Sequence, residues 1–206
     1  MLMSSSVVLA ITKANIDARP MLFKTYDTDV AFRDCCIWQV ARATSAATTF
    51  FKSIQLGRDK IEFIDAGFGY NNPAEILIEE AEKLFPGHDQ LRILSIGTGL
   101  GRVVTIQDSR LAILNALKEM AAESTKVATR LDGKYEDRGQ YCRFNVDRGL
   151  DDVTLSDYQK ASMIAAHTRN YLVDNQRAIQ KFINDFFNPP EGRSGIIAEP
   201  GGVPHS

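Results

Sequence analysis

An α/β fold with a mostly parallel sheet is what this sequence predicts, and three observations predict it. Short β-branched runs alternate with stretches of helical periodicity along most of the chain. One early run, "SVVLAI" (Ser6–Ile11), is almost wholly apolar, as a strand buried on both faces would be. Two strand candidates end in glycine-rich turns, "DAGFG" from Asp65 and "GTGLG" from Gly97. In open α/β sheets, sites form outside the carboxyl ends of the strands.

Taken in order, Ser6–Ile11 is followed by a second strand, Met21–Tyr26. The next segment, "DVAFRDCCIWQVARATSAA", places Cys36, Ile37, Val40, Ala41 and Thr44 at helical spacing, with Asp29 available to cap its start. Trp38 lies in that helix and is expected in the core. Lys60–Asp65 ("KIEFID") is a short strand. Asn72 followed by Pro73 is a helix start, an N-cap residue and then proline in the first turn. The helix continues through "AEILIEEAEKLF", with Leu77, Ala81 and Leu84 on one face and Glu79, Glu80 and Glu82 on a solvated one. Leu91–Ile96 is another strand. Leu114, Leu117, Met120 and Ala121 mark a helix over roughly 110–123, and "YCRFNV" (Tyr141–Val146) alternates as a half-buried or edge strand does. Two helices close the series. The first covers roughly 156–171. The second carries Ile179, Phe182, Ile183 and Phe186, and its phenylalanines, Phe187 included, are expected in the core; a membrane-facing patch is the alternative. Residues 188–206 are rich in Pro and Gly and read as a flexible tail, so the folded unit is expected over 1–187.

The bulk numbers exclude several function classes. With 206 residues, 44% hydrophobic and 24% charged, the chain can bury a sizeable core. A formal net charge of −2 gives no electrostatic basis for a nucleic-acid partner, and no zinc-finger or helix-turn-helix pattern is present, so none is expected. Cys35, Cys36 and Cys142 are odd in number and two are adjacent, which suits reduced, buried thiols in a cytoplasmic protein rather than a disulfide framework. No Cys/His cluster has zinc spacing, and the three histidines are scattered; neither a metal nor a cofactor is expected. No apolar run approaches the ~20 residues that span a bilayer. The opening "MLMSSSVVLAIT" has no basic residue before Lys13, so it reads as a strand and not as a signal peptide.

The stretch "FIDAGFGYNNP" (Phe63–Pro73) is the candidate site. An acid at the end of an apolar strand is followed by Gly67 and Gly69, which permit positive φ or close approach of a ligand. Asp65, held by such a turn, could accept a proton from a nucleophile or orient one. A turn in which Asp65 caps backbone amides and Asn71 or Asn72 caps the next helix accounts for the same residues. "GTGLGR" (Gly97–Arg102) has neither the dinucleotide fingerprint nor the Lys-Ser/Thr of a phosphate loop. A close backbone turn at Gly97 and Gly99, beside the Asp65 strand and shaping the same site, is expected there; nucleotide binding is the alternative.

"FIDAGFGYNNP" resembles the aspartate motif of patatin-like phospholipases. The resemblance extends to "IWQVARATSAATTFFKSI" upstream, to "LSIGTG" downstream and to "YCRFNVDRGLDDVTLSDYQKASMIAAHT", four matches in the family's order from Ile37 to Thr168. It looks closest to the patatin domains of large fungal multidomain proteins. The resemblance implies a three-layer α/β/α fold and a Ser–Asp dyad that hydrolyses acyl lipids without metal. Its serine sits in a Gly-x-Ser-x-Gly elbow and its oxyanion is held by backbone amides. Asp65 stands at the family's aspartate. The family reads Asp-Gly-Gly or Asp-Gly-Ala where this chain has Asp65-Ala66-Gly67, and Thr48 stands where proline is frequent. No Gly-x-Ser-x-Gly occurs in the 206 residues; "GRSG" (Gly192–Gly195) is one residue short and has no strand before it. The chain is therefore expected to be the C-terminal part of such a domain, its N-terminal portion missing, carrying the aspartate half alone and inactive by itself. The alternative is a non-catalytic module that binds lipid or protein. The partners expected are an acyl lipid or a membrane surface met peripherally. A complementing segment, or a second copy, is expected to pair with a bared sheet edge.

Overall fold

Connection lengths decide how the strands of this chain pair. A computed structural model describes residues 5–16, 18–47, 50–87, 91–99, 111–135, 139–146, 148–150, 153 and 157–187, with backbone alone at Phe68 and 111–121. The elements are β1 (Val7–Thr12), β2 (Met21–Lys24), α1 (Ile37–Thr44), β3 (Ile54–Leu56), β4 (Ile61–Asp65), α2 (Gly67–Tyr70), α3 (Ala74–Leu84), β5 (Ile93–Ile96), α4 (Leu111–Tyr135), β6 (Tyr141–Phe144), α5 (Ala161–Asp174) and α6 (Gln176–Phe187). Short 3-10 turns occupy Val30–Phe32 and Tyr158–Lys160.

The larger sheet has the order β2-β1-β4-β3, and every pair in it is antiparallel. The expected mostly parallel sheet is thus overturned, although the mixture of helices and strands holds. A parallel pair needs a crossover of about a dozen residues or more. Residues 13–20 between β1 and β2, and 57–60 between β3 and β4, are too few. Between β5 and β6 the chain makes α4, long enough for a crossover, and those two strands form a separate parallel pair.

Strand alternation sorts the core into two faces. Ala10, Phe23, Leu56 and Phe63 point toward α1 and the first 3-10 turn, where they meet Phe32 and Ala43. The rings of Phe23, Phe32 and Phe63 lie edge to face with centroids 5.3–5.6 Å apart. Ile11 and Ile64 point the other way, with Ala66. A second core joins α3, α4, β5 and β6 through Ala74, Ile78, Ile93, Val127, Leu131 and Tyr141.

Several sequence expectations fail at this level, each for a packing reason. The buried stripe of α3 runs through Ala74 and Ile78; Leu77 is exposed. Glu80 is not solvated. Its side chain is covered by neighbours and accepts from Lys24 at 2.5 Å and Lys83 at 2.7 Å, tying α3 to the end of β2. Trp38 is 64% exposed, because α1 packs on the sheet through Val40 and Ala43 instead. Phe186 and Phe187 are exposed as well; of the last helix's phenylalanines only Phe182 is half-buried, edge to face with Phe144. Asp29 does cap, but it caps the 3-10 turn, accepting from Ala31 N. The N-cap of α1 is Cys36, whose thiol is therefore exposed where burial was expected; all three cysteines are free. Asn72 performs the anticipated capping one residue out of register, accepting from Ala74 N, while its Nδ2 donates to Ser124 O. The three-residue β3 was not anticipated, and α4 outruns its expected end by a dozen residues. The tail, 188–206, and Thr48 lie outside the described residues.

Candidate functional site

Asp65 is the last residue of β4, and its register partner on β1 is Ala10. Its backbone N–H donates to Ala46 O at 3.2 Å, which ties the strand end to the segment leaving α1. Its Oδ1 accepts from Gly67 N at 2.7 Å. The capping turn read from the spacing is therefore present. Oδ2 has no protein partner among the described residues, and the side chain borders an open cleft of about 280 Å³ whose walls include Val7, Leu9, Thr44, Tyr70 and Pro73. Burial pushes the Asp65 carboxyl above its ordinary range, and the Gly67 amide pulls it back by less. No charged neighbour contributes. A half-buried carboxylate raised by desolvation is better matched to taking a proton near neutrality than an exposed one.

The glycines of the motif divide. Ala66 has φ −75° and ψ −3°, an ordinary right-handed conformation, so alanine in place of the family's glycine carries no backbone strain. Gly67 begins α2. Gly69 has φ +100° with open space around it, and is the residue that uses glycine's freedom to turn the chain toward α3.

Gly97 and Gly99 are elsewhere. β5 pairs with β6 and not with β4, so their turn does not lie beside the Asp65 strand as expected. Gly97 N donates to Phe144 O at 2.8 Å and Gly99 N to Asn145 Oδ1 at 2.9 Å. Sequence reasoning placed them in one site with Asp65 because both follow strands; it could not see that the strands belong to different sheets.

A second, larger cavity adjoins the Asp65 cleft. It measures about 530 Å³, is mainly apolar, and runs between β1, β2 and α1 over Val8, Phe23, Phe32, Ile37 and Val40. Val8 and Thr44 line both spaces. Ile37, which lines it, is exposed, as are Val30 and Trp38, the chain neighbours of its lining residues Asp29 and Ile37. Nothing in the sequence singled out this cavity.

No family model matches the chain. Calcium-independent phospholipase A2-gamma of Homo sapiens is 32% identical over 114 residues, which is 53% of this chain and 14% of that protein. The chain is similar to mammalian calcium-independent phospholipase A2-gamma. The Rattus norvegicus protein is 32% and the Oryctolagus cuniculus protein 33% identical over 113 residues, with the same coverage. The chain thus spans about 14% of the length of the curated relatives it matches. These matches support a phospholipase relationship and give no support to a particular closeness to fungal multidomain proteins. No helix of the described residues is long and apolar enough to cross a membrane.

Proposed function

We propose that this chain carries the aspartate half of a patatin-like lipid acyl hydrolase. Asp65 takes the proton from a serine that is not among these 206 residues, and the serine attacks the acyl ester carbonyl. The observation that carries the reading is the position of Asp65: at a strand end, one oxygen fixed by Gly67 and the other without a partner among the described residues, on a cleft adjoining an apolar cavity. The similarity to phospholipases A2-gamma supports it. The 530 Å³ cavity takes the acyl chain, and the exposed Val30, Ile37 and Trp38 meet the lipid surface peripherally, from the cytoplasmic side. The reading needs no metal or organic cofactor.

The test has two arms. The 206-residue chain alone should neither hydrolyse a p-nitrophenyl acyl ester nor react with a fluorophosphonate. Joined to a serine-bearing segment of a phospholipase A2-gamma relative, it should gain both, and Asp65→Asn should remove hydrolysis. Fluorophosphonate-sensitive turnover by the chain alone, or a joined chain indifferent to Asp65→Asn, would overturn the assignment. The apolar cavity also favours a second reading, a lipid-binding module without turnover. That reading expects saturable fatty-acid binding by the joined chain with no hydrolysis.

A further inference from the structure

The two asparagines of the Asp65 motif divide. Asn71 is exposed and lines the cleft, whereas Asn72 is buried behind it, 5% exposed. A buried primary amide costs free energy unless its donor and its acceptor are both used. Both ends of Asn72 are used. Its Oδ1 accepts from Ala74 N at 3.4 Å, at the start of α3. Its Nδ2 donates at 3.2 Å to Ser124 O, 52 residues along the chain and in the middle of α4.

Capping alone does not account for asparagine here. Serine, threonine or aspartate would cap as well, but none of them carries a side-chain amide donor. A carbonyl inside a helix keeps a second lone pair after accepting from the amide four residues on, and the Asn72 amide takes it. The bond therefore joins the motif to a distant helix, which the cap does not.

The bridge matters to Asp65 through α2. Gly67, whose amide holds Asp65 Oδ1, begins α2, and α2 is a single turn of four residues. So short a helix does not maintain its own conformation. Tyr70 packs against the cluster of Ile11, Ile64 and Ala66, α2 lies against α4, and Asn72 ties the chain to α4 just past the end of α2. The anchor point is itself braced. Ser124 Oγ accepts from Arg143 Nη2 at 3.2 Å, and Arg143 belongs to β6, so this turn of α4 is fixed to the second sheet.

We infer that Asn72 is a positioning residue for Asp65: its bridge to Ser124 O sets where α2 lies, and with it the Gly67 amide that orients the carboxylate on the cleft. What that orientation is used for rests on the acyl-hydrolase reading; the orientation itself belongs to this chain alone. The Gly67 amide lowers the Asp65 carboxyl against the burial that raises it, so a displaced α2 should let the carboxyl titrate higher. Tyr70 is the other titratable group lining the cleft, and no charged side chain among the described residues contributes to the Asp65 shift.

The experiment is a carboxyl-carbon NMR titration of the 206-residue chain, with the Gly67 amide resonance followed alongside. In the parent the two should move together, because one donates to the other. Asn72→Ser keeps an oxygen for Ala74 N but is one bond too short to reach Ser124 O. It should raise the Asp65 midpoint and uncouple Gly67 from it. Asn72→Ala should move Asp65 by the same amount, and should melt about 2–4 °C below Asn72→Ser for its lost cap. Leu56→Val is the control. Leu56 is buried and pairs with Ile61, at the other end of β4 from Asp65, so the variant should lower the melting temperature and leave the midpoint in place. If Asn72→Ala fails to fold, Asn72→Ser against Leu56→Val decides. An Asp65 midpoint and Gly67 coupling unchanged in Asn72→Ser, or a midpoint moved as far by Leu56→Val, would overturn the assignment. None of these measurements involves turnover, so a joined chain that hydrolyses no ester strikes the acyl-hydrolase reading and leaves the bridge standing.

Discussion

Ala10 lies directly opposite Asp65 in the β1–β4 register, so β1 runs on past the carboxylate through Leu9, Val8 and Val7 with no partner from β4. On their other side these residues pair with β2. The cleft at Asp65 is therefore floored by a strand stretch, Val7–Leu9, that among the described residues pairs only with β2. The arrangement makes the charge state of Asp65 a matter of stability as well as chemistry.

Asp65 holds its proton more tightly in the folded chain than in the unfolded one, because burial raises its carboxyl. Well below the unfolded pKa, about 4, both states are protonated and nothing is lost. As pH rises through that value toward the folded pKa, the unfolded chain ionises first and stability falls; above the folded pKa the loss is complete. Asp65→Asn should therefore melt above the parent chain at pH 7, with the gap closing as pH falls to the unfolded value. Melting curves across pH check this. A lower melting temperature for the variant at pH 7 would mean that the Gly67 contact outweighs desolvation.

Glu80 runs in the opposite direction. Hydrogen bonds from Lys24 and Lys83 hold its carboxyl below the ordinary range. Its contribution is present above the unfolded pKa and is lost as pH falls through the folded one. Glu80 is covered by its own lysines near the molecular rim rather than set in a deep core. Glu80→Gln should thus destabilise at pH 7 by about 1–2 kcal/mol, less than the loss of one partner from a deep pair. Urea unfolding at pH 7 and at pH 3.5 tests it: the difference between variant and parent should shrink at the lower pH.

Phe63 is wholly buried and touches both other rings of its cluster. Phe63→Ala removes that ring beneath α1 and should cost about 3–5 kcal/mol, a large share of a small domain's total stability. Urea midpoints read the loss directly. A change under about 1 kcal/mol would contradict the packing described here.

Gly69 and Gly97 separate the two ways a glycine is required. Gly69→Ala meets open space but an unfavourable φ, for about 1 kcal/mol. Gly97→Ala has no such φ, yet its Cβ would collide with Arg143 and Asn145. It should cost about 1–3 kcal/mol through displaced side chains. A Gly97→Ala chain as stable as the parent would show that the turn does not brace Arg143 and Asn145.

Local chemistry was legible in the sequence wherever near neighbours decide it. β1, β2, β4, β5 and β6 lie where short apolar or alternating runs were read as strands, and the capping by Asp29 and Asn72 follows from short polar side chains reaching amides two residues on. Asp65 could be named because an acid, two glycines and a helix start sit within one short stretch. Strand direction was less legible, although the short 13–20 connection already argued against a parallel pair.

The sequence by itself determined where the chain turns and which carboxylate ends a strand, because these depend on backbone conformation and on contacts a few residues apart. Only the tertiary structure decided that Gly97 belongs with Arg143 and not with Asp65, that Glu80 meets Lys24, and that Trp38 stands in solvent. Those outcomes depend on which surfaces of distant elements meet, and periodicity marks a face as apolar without saying what will cover it.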